Sequence, residues 1–235
     1  MTRIEPALST VPHAGGVLSV AEIRLGGTPR GTVVVLTDSS VLGYAVVDVL
    51  NRLAEHGYCA LAAEIGPPDG LGVTDAVAAL LDRVRAAGVP DAQLGVVGYG
   101  EGASTALAVA FDTEVGAAVG VAASPGPLPV GVDTRSLKSP WLGLYARAGE
   151  YGGALRALLD RQAVYSRLVL YPGATPAFHR SDGPAADHAV AFDSWQRTIE
   201  WLNLRVEPCL TPFARSWASR ERARPRSPRT RRNGD

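Results

Sequence analysis

The segment Gly98-Tyr99-Gly100-Glu101-Gly102-Ala103 is where chemistry is expected first. It follows an apolar run over 93–99, which reads as a strand, and passes at once into a helical stretch over 103–111. A tight strand–turn–helix passage with small residues around its centre is the setting in which a central serine or cysteine is presented as a nucleophile. Here the centre is Gly100, which has no atom to attack with. The backbone N–H of Glu101 does not depend on any side chain and would still donate to a developing oxyanion. The same residues also spell G-x-G-x-x-A, a dinucleotide fingerprint. That reading is disfavoured, because the next strand runs into Val121-Ala122-Ala123-Ser124 with no acid at its end.

The other candidates are scattered along the chain. Asp38 follows the run 31–37 and Glu101 follows 93–99. A parallel sheet brings both carboxylates to the edge where such folds hold ligands, and a pair there could do acid–base work. Asp38 equally suits capping of the helix that follows it. His179 is a candidate base or a solvated loop histidine. His56 ends a helix, where a cation suits the dipole, His188 sits beside Asp187 on a helix surface, and His13 is uninformative. Ser39, Ser40 and Ser104 supply hydroxyls near the same edge and read as caps or packing residues. Four dispersed histidines and two distant cysteines have no metal-ligand spacing, so no metal or cofactor is expected.

The elements that must position these groups are legible from apolar patterning. Residues 31–37 (GTVVVLT) form a β-branched run suited to a strand buried on both faces. Further strands are expected over 58–63, 93–99, 115–122, 141–146 and 165–171, with an antiparallel strand over 17–24. Helical spacing covers 41–56, 74–87, 103–111 and 185–204. Repeated β-α units imply a mostly parallel twisted sheet flanked by helices on both faces.

Of 235 residues, 46% are hydrophobic and 20% charged, enough for one globular domain over about 1–210. The net charge is zero but unevenly placed. Residues 213–235 hold eight arginines against Glu221 and Asp235, and the remainder holds 15 basic and 21 acidic residues. The Arg-, Ser- and Pro-rich stretch 211–235 is expected to be a disordered tail. It could touch nucleic acid, although solvation is the preferred reading. No apolar run suits a signal peptide or a membrane span, and Cys59 and Cys209 read as reduced thiols. A cytoplasmic protein is therefore expected, with no membrane partner and an oligomeric state left open.

Four segments in order resemble the dienelactone hydrolase family over roughly residues 15–205. They are Leu36-Thr37-Asp38-Ser39 followed after a helix by Leu53-Ala54-Glu55-His56-Gly57-Tyr58; the turn at Gly98–Gly102; Trp141-Leu142-Gly143-Leu144-Tyr145; and Tyr171-Pro172-Gly173-Ala174 with Phe178, then Ala191-Phe192-Asp193-Ser194-Trp195. The resemblance implies an α/β-hydrolase fold whose nucleophile, acid and histidine form one unit. In this chain those positions fall on Gly100, Gly149 (with Glu150 beside it) and Pro176. The expectation is a degenerate member that lacks the hydrolytic triad and keeps a small-molecule cleft. Ser39, Tyr99, Gly100 and Glu150 would line it, and Asp38, Glu101 and His179 would remain for chemistry. That cleft would serve binding, a scaffold role, or non-hydrolytic cyclase or isomerase chemistry. The competing expectation is an active ester or lactone hydrolase with Ser39 or Ser104 as nucleophile and His179 as base.

Overall fold

A computed structural model describes residues 3–38, 43–65, 73–180 and 184–223. Eight strands form one sheet in the order β1-β2-β4-β3-β5-β6-β7-β8. β1 (Ala7–His13) and β2 (Gly16–Ile23) make an antiparallel hairpin, and β2 runs antiparallel to β4 (Tyr58–Glu64). From β4 onward every pairing is parallel, through β3 (Gly31–Thr37), β5 (Leu94–Tyr99), β6 (Ala117–Ala122), β7 (Trp141–Tyr145) and β8 (Ser166–Leu170). The central strands β3 and β6 are buried at every residue. Helices cover both faces of the sheet, so their side chains cannot alternate between core and water.

The helices divide between the two faces. α1 (Tyr44–Glu55) and α5 (His188–Arg205) cover one face, where Leu50, Leu53, Trp195, Ile199 and Leu202 pack on Val33, Val35, Val97 and Val119. α2 (Val73–Ala86) and α3 (Gly102–Asp112) cover the other, where Leu80, Val84 and Ala106 meet Val34, Leu36 and Val96. α4 (Gly152–Leu159) extends that layer through Leu155 and Leu158, beside Trp141 and Tyr145. Each large apolar side chain buried this way contributes roughly 1.5–3 kcal/mol of transfer free energy.

The end of α5 sits unusually close to the sheet because three glycines lie beneath it. A Cβ on Gly31 would stand 2.7 Å from Val206 Cγ1, one on Gly95 2.8 Å from Leu202 Cδ2, and one on Gly116 3.0 Å from Val206 Cα. The chain then leaves along the N-terminal ends of the strands. Glu207 N–H donates to Ala92 (2.8 Å) and Cys209 N–H to Arg30 (3.2 Å). A last helix, α6 (Pro212–Ala223), follows, and here the structure departs from the expectation of disorder from 211 onward.

Candidate functional site

The site forms where β3 and β5 end side by side. Leu36 pairs with Gly98 in register, so Thr37-Asp38 and Tyr99-Gly100 emerge together. The β5–α3 turn has no room for side chains at its flanks. An added Cβ would lie 2.8 Å from the Ala103 amide nitrogen if placed on Gly98, and 2.8 Å from the Leu36 carbonyl carbon if placed on Gly102. Gly100 between them has φ +60°, a conformation that glycine adopts without the strain a side chain would bring. Its N–H donates to Val121 (3.0 Å) and its carbonyl accepts from Ala103 (3.2 Å). The backbone that would present a nucleophile is therefore built, with hydrogen alone at its centre.

Another side chain occupies the volume that a side chain on Gly100 would need. A Cβ on Gly100 would lie 3.0 Å from Asp38 Cγ and 3.1 Å from Asp38 Oδ1, and closer still to Oδ2. That Oδ2 accepts the Glu101 N–H at 3.3 Å. The one backbone donor expected to serve an oxyanion thus already holds a carboxylate that belongs to the chain.

Asp38 opens onto a cavity of about 260 Å³ whose walls include Val35, Val46, Val49, Tyr99, Pro176 and His179. Its remaining polar lining comes from Thr37, from Asp48 and Arg52 on α1, and from Arg180. Arg52 lies over the Trp195 ring, 3.9 Å from its centroid, so one face of the guanidinium is held by a cation–π contact. Tyr99 is pushed up to about 12 by burial and stays a neutral phenol.

His179 reaches this cavity because the loop after β8 does not run straight. Phe178 N–H donates to Thr175 (3.2 Å), closing a turn, and Phe178 is fully buried against Tyr171 (ring centroids 5.2 Å apart). Buried Asp187 anchors the loop by accepting from the Thr175 N–H (3.2 Å) and from the Thr175 hydroxyl. His179 therefore returns beside Pro176 and packs on Tyr99 with ring centroids 5.2 Å apart. Burial, assisted by the Arg180 charge and opposed by Asp38, lowers its pKa to about 4. It is a neutral imidazole at neutral pH, and its buried Nδ1 has no hydrogen-bond partner among the described residues.

The other candidates fall elsewhere. Glu101 is exposed and lines a shallow depression with Asp38, Glu64 and Ile65 rather than the main cavity. Gly149 (φ +59°) meets Ser124, whose Cβ would be 2.8 Å from an added Cβ, and Glu150 beside it is exposed and outside the cavity lining. Ser104 is half-buried on α3 and turns its hydroxyl toward Gly126, where an added Cβ would meet Oγ at 2.5 Å. It does not line the cavity that holds His179. Ser39 and Ser40 lie outside the described residues. No group of three metal-ligating side chains occurs among the described residues, and no helix there is long and apolar enough to cross a membrane. Asp48, Arg52, Arg180 and Asp187 escaped the sequence reading. Only the first two had a signal, the four-residue spacing on the face of α1 that carries Ala45 and Val49.

Strand order, the turn after β5 and the helical layers together define an α/β-hydrolase fold. Comparison with known proteins narrows this. A sequence profile of the dienelactone hydrolase family matches residues 68–205, and the chain belongs to that family. It is 29% identical over 230 residues to a Methylorubrum extorquens protein named "Putative carboxymethylenebutenolidase", covering 82% of this chain and 78% of that one. Among solved structures, a "Putative Dienelactone Hydrolase" from Klebsiella pneumoniae superposes with TM-score 0.65 at 21% identity, covering 83% of this chain and 96% of the other. An alpha-beta serine hydrolase homologue from Coxiella burnetii superposes with TM-score 0.62 at 17% identity, covering 84% and 99%.

Proposed function

We propose that this member does not carry out acyl transfer through a side-chain nucleophile, and that its cleft binds a small molecule. The observation that carries this reading is the Asp38 carboxylate, which stands over Gly100 and holds the Glu101 N–H. An attacking group, a base and an orienting acid act as a unit, and Gly100, Pro176 and Gly149 stand at those positions. The cavity lining is mostly apolar and includes Asp38, Asp48, Arg52 and Arg180, which suits a compact ligand with both an apolar body and polar substituents. The name of the Methylorubrum extorquens relative denotes action on a carboxymethylenebutenolide, so an unsaturated lactone acid is the natural first ligand to try. The test is a panel of p-nitrophenyl esters and lactones run beside a fluorophosphonate probe, with lactone-acid binding followed by thermal shift. Expected are no probe adduct, no ester turnover and a saturable shift with the lactone acid. Stoichiometric labelling of any serine, Ser39 and Ser104 included, would overturn the reading.

A second reading has one specific observation in its favour: Asp38 and the neutral His179 line the same cavity. A carboxylate base facing a neutral imidazole could move a proton in an isomerisation or ring closure without any covalent intermediate. In that case Asp38→Asn and His179→Gln abolish turnover of the ligand while its affinity stays within a few-fold. Equal loss of affinity and turnover would argue for binding alone.

A further inference from the structure

The contact between Asp38 and Glu101 puts a nucleophilic atom at a turn that has none of its own. A nucleophile on such a turn projects from its centre, with the next backbone N–H beside it to receive developing negative charge. Here the Asp38 carboxylate, at the end of the neighbouring strand β3, stands in that position. A Cβ on Gly100 would lie 3.0 Å from its Cγ and 3.1 Å from its Oδ1. Oδ2 accepts the Glu101 N–H at 3.3 Å, so one oxygen is held by the oxyanion donor and Oδ1 is left as the attacking atom. The same cavity is lined by His179, a neutral imidazole, and by Tyr99, a neutral phenol, with ring centroids 5.2 Å apart. The chemistry of a carboxylate then selects the substrate. Its attack on an ester gives a mixed anhydride, less stable than the ester it came from. Its attack on a strained saturated carbon gives an ordinary ester, which water can open.

We propose that Asp38 is a carboxylate nucleophile toward a compact epoxide, and that the cleft hydrates epoxides to diols through an Asp38 ester. This rests on the reading of the cleft as a small-molecule site without a serine or cysteine nucleophile. In the first step Asp38 Oδ1 bonds to one epoxide carbon and the ring C–O bond breaks. Its electron pair goes to the ring oxygen, which takes the Tyr99 phenol proton. In the second step His179 accepts a proton from water as the resulting hydroxide attacks Asp38 Cγ. Negative charge develops on the oxygen held by the Glu101 N–H. Collapse breaks the Cγ–Oδ1 bond, and Oδ1 leaves in the diol with the proton from His179. The carboxylic acid left on Asp38 returns its proton to Tyr99. The sum is one epoxide and one water giving one diol, with nothing else consumed.

The test uses the intact chain with styrene oxide and propylene oxide as probes, in water enriched in heavy oxygen. Because Oδ1 leaves in the product, a single turnover with the chain in excess should give unlabelled diol and place the heavy oxygen in the Asp38 peptide, read by mass spectrometry. His179→Gln should accumulate the ester, seen as an intact mass raised by that of the epoxide. Asp38→Asn, with its urea midpoint checked against the parent chain, should lose diol formation at least about a hundredfold. Absence of both diol and adduct with the two probes overturns the proposal. So does diol formation that leaves Asp38 unlabelled, since water then attacks the epoxide directly. A fluorophosphonate adduct on a serine overturns the reading of the cleft itself, whereas a clean fluorophosphonate result with no label on Asp38 removes only the nucleophile.

Discussion

Two turns of this molecule have reached the same residue by different physics. Gly100 and Gly149 stand at the expected nucleophile and acid positions, with φ +60° and +59°. At Gly100 the space a side chain would need is filled by a carboxylate hydrogen-bonded to the adjacent N–H. At Gly149 it is filled by the small side chain of Ser124. The first turn keeps a charged group at its centre and opens on a cavity, whereas the second is exposed and meets only Ser124. One turn therefore carries a polar contact at its centre, and the other is crowded by a single small side chain.

The comparison can be broken most severely at the glycines flanking the first turn. Gly98→Ala or Gly102→Ala drives a methyl group into backbone and should cost more than about 3 kcal/mol, read as lost cooperative unfolding in urea. The second turn should yield next: Gly149→Asp places a side chain at a left-handed φ against Ser124 and should cost about 1–3 kcal/mol. Gly100→Ser should cost a similar amount alone but less in an Asp38→Ala background, because the obstacle there is one exposed side chain. Neither version should gain esterase activity. A serine at 100 that is both tolerated and active would dissolve the contrast between the turns.

A smaller effect concerns pH. The His179 pKa is about 4 when folded, below its ordinary value of about 6.5. Between those values the unfolded chain binds the extra proton, so stability falls as pH drops from about 6.5 toward 4 and is unaffected above. His179→Gln should flatten that slope in urea midpoints measured across the window. The smallest effect is expected from Asp38→Asn, whose amide oxygen can still accept the Glu101 N–H, within about 0.5 kcal/mol of the parent chain.

How much of this was legible depended on distance along the chain. Strands β3 to β7 read within two residues of their observed ends, because strands buried on both faces appear as continuous apolar runs. β1 escaped because it is an edge strand, mostly exposed and carrying Pro12. α4 escaped because it is one short stretch opening on two glycines, and α6 because its arginines obscured a helical spacing of aromatics. At the site, Gly100 at the centre of the turn and Pro176 in the loop after β8 were readable from local motifs. The meeting of Asp38 with Gly100, 62 positions apart, was not. For His179 the sequence left a candidate base and a solvated loop histidine both open, and the structure places it in the cavity lining. The turn at Thr175–Phe178 and its anchor Asp187 have no local signature that would have chosen between them.

The glycine floor beneath α5 has a mechanical consequence. Because Gly31, Gly95 and Gly116 let Val206 and Leu202 settle almost onto backbone, the root of the C-terminal segment is clamped to the stiffest strands of the sheet. A pull on α6 would load β3 and β5 through residues 207–209 before it could peel the helix away. α6 is thus tethered to the keel of the sheet, and tension on it should be resisted by the whole domain as one body.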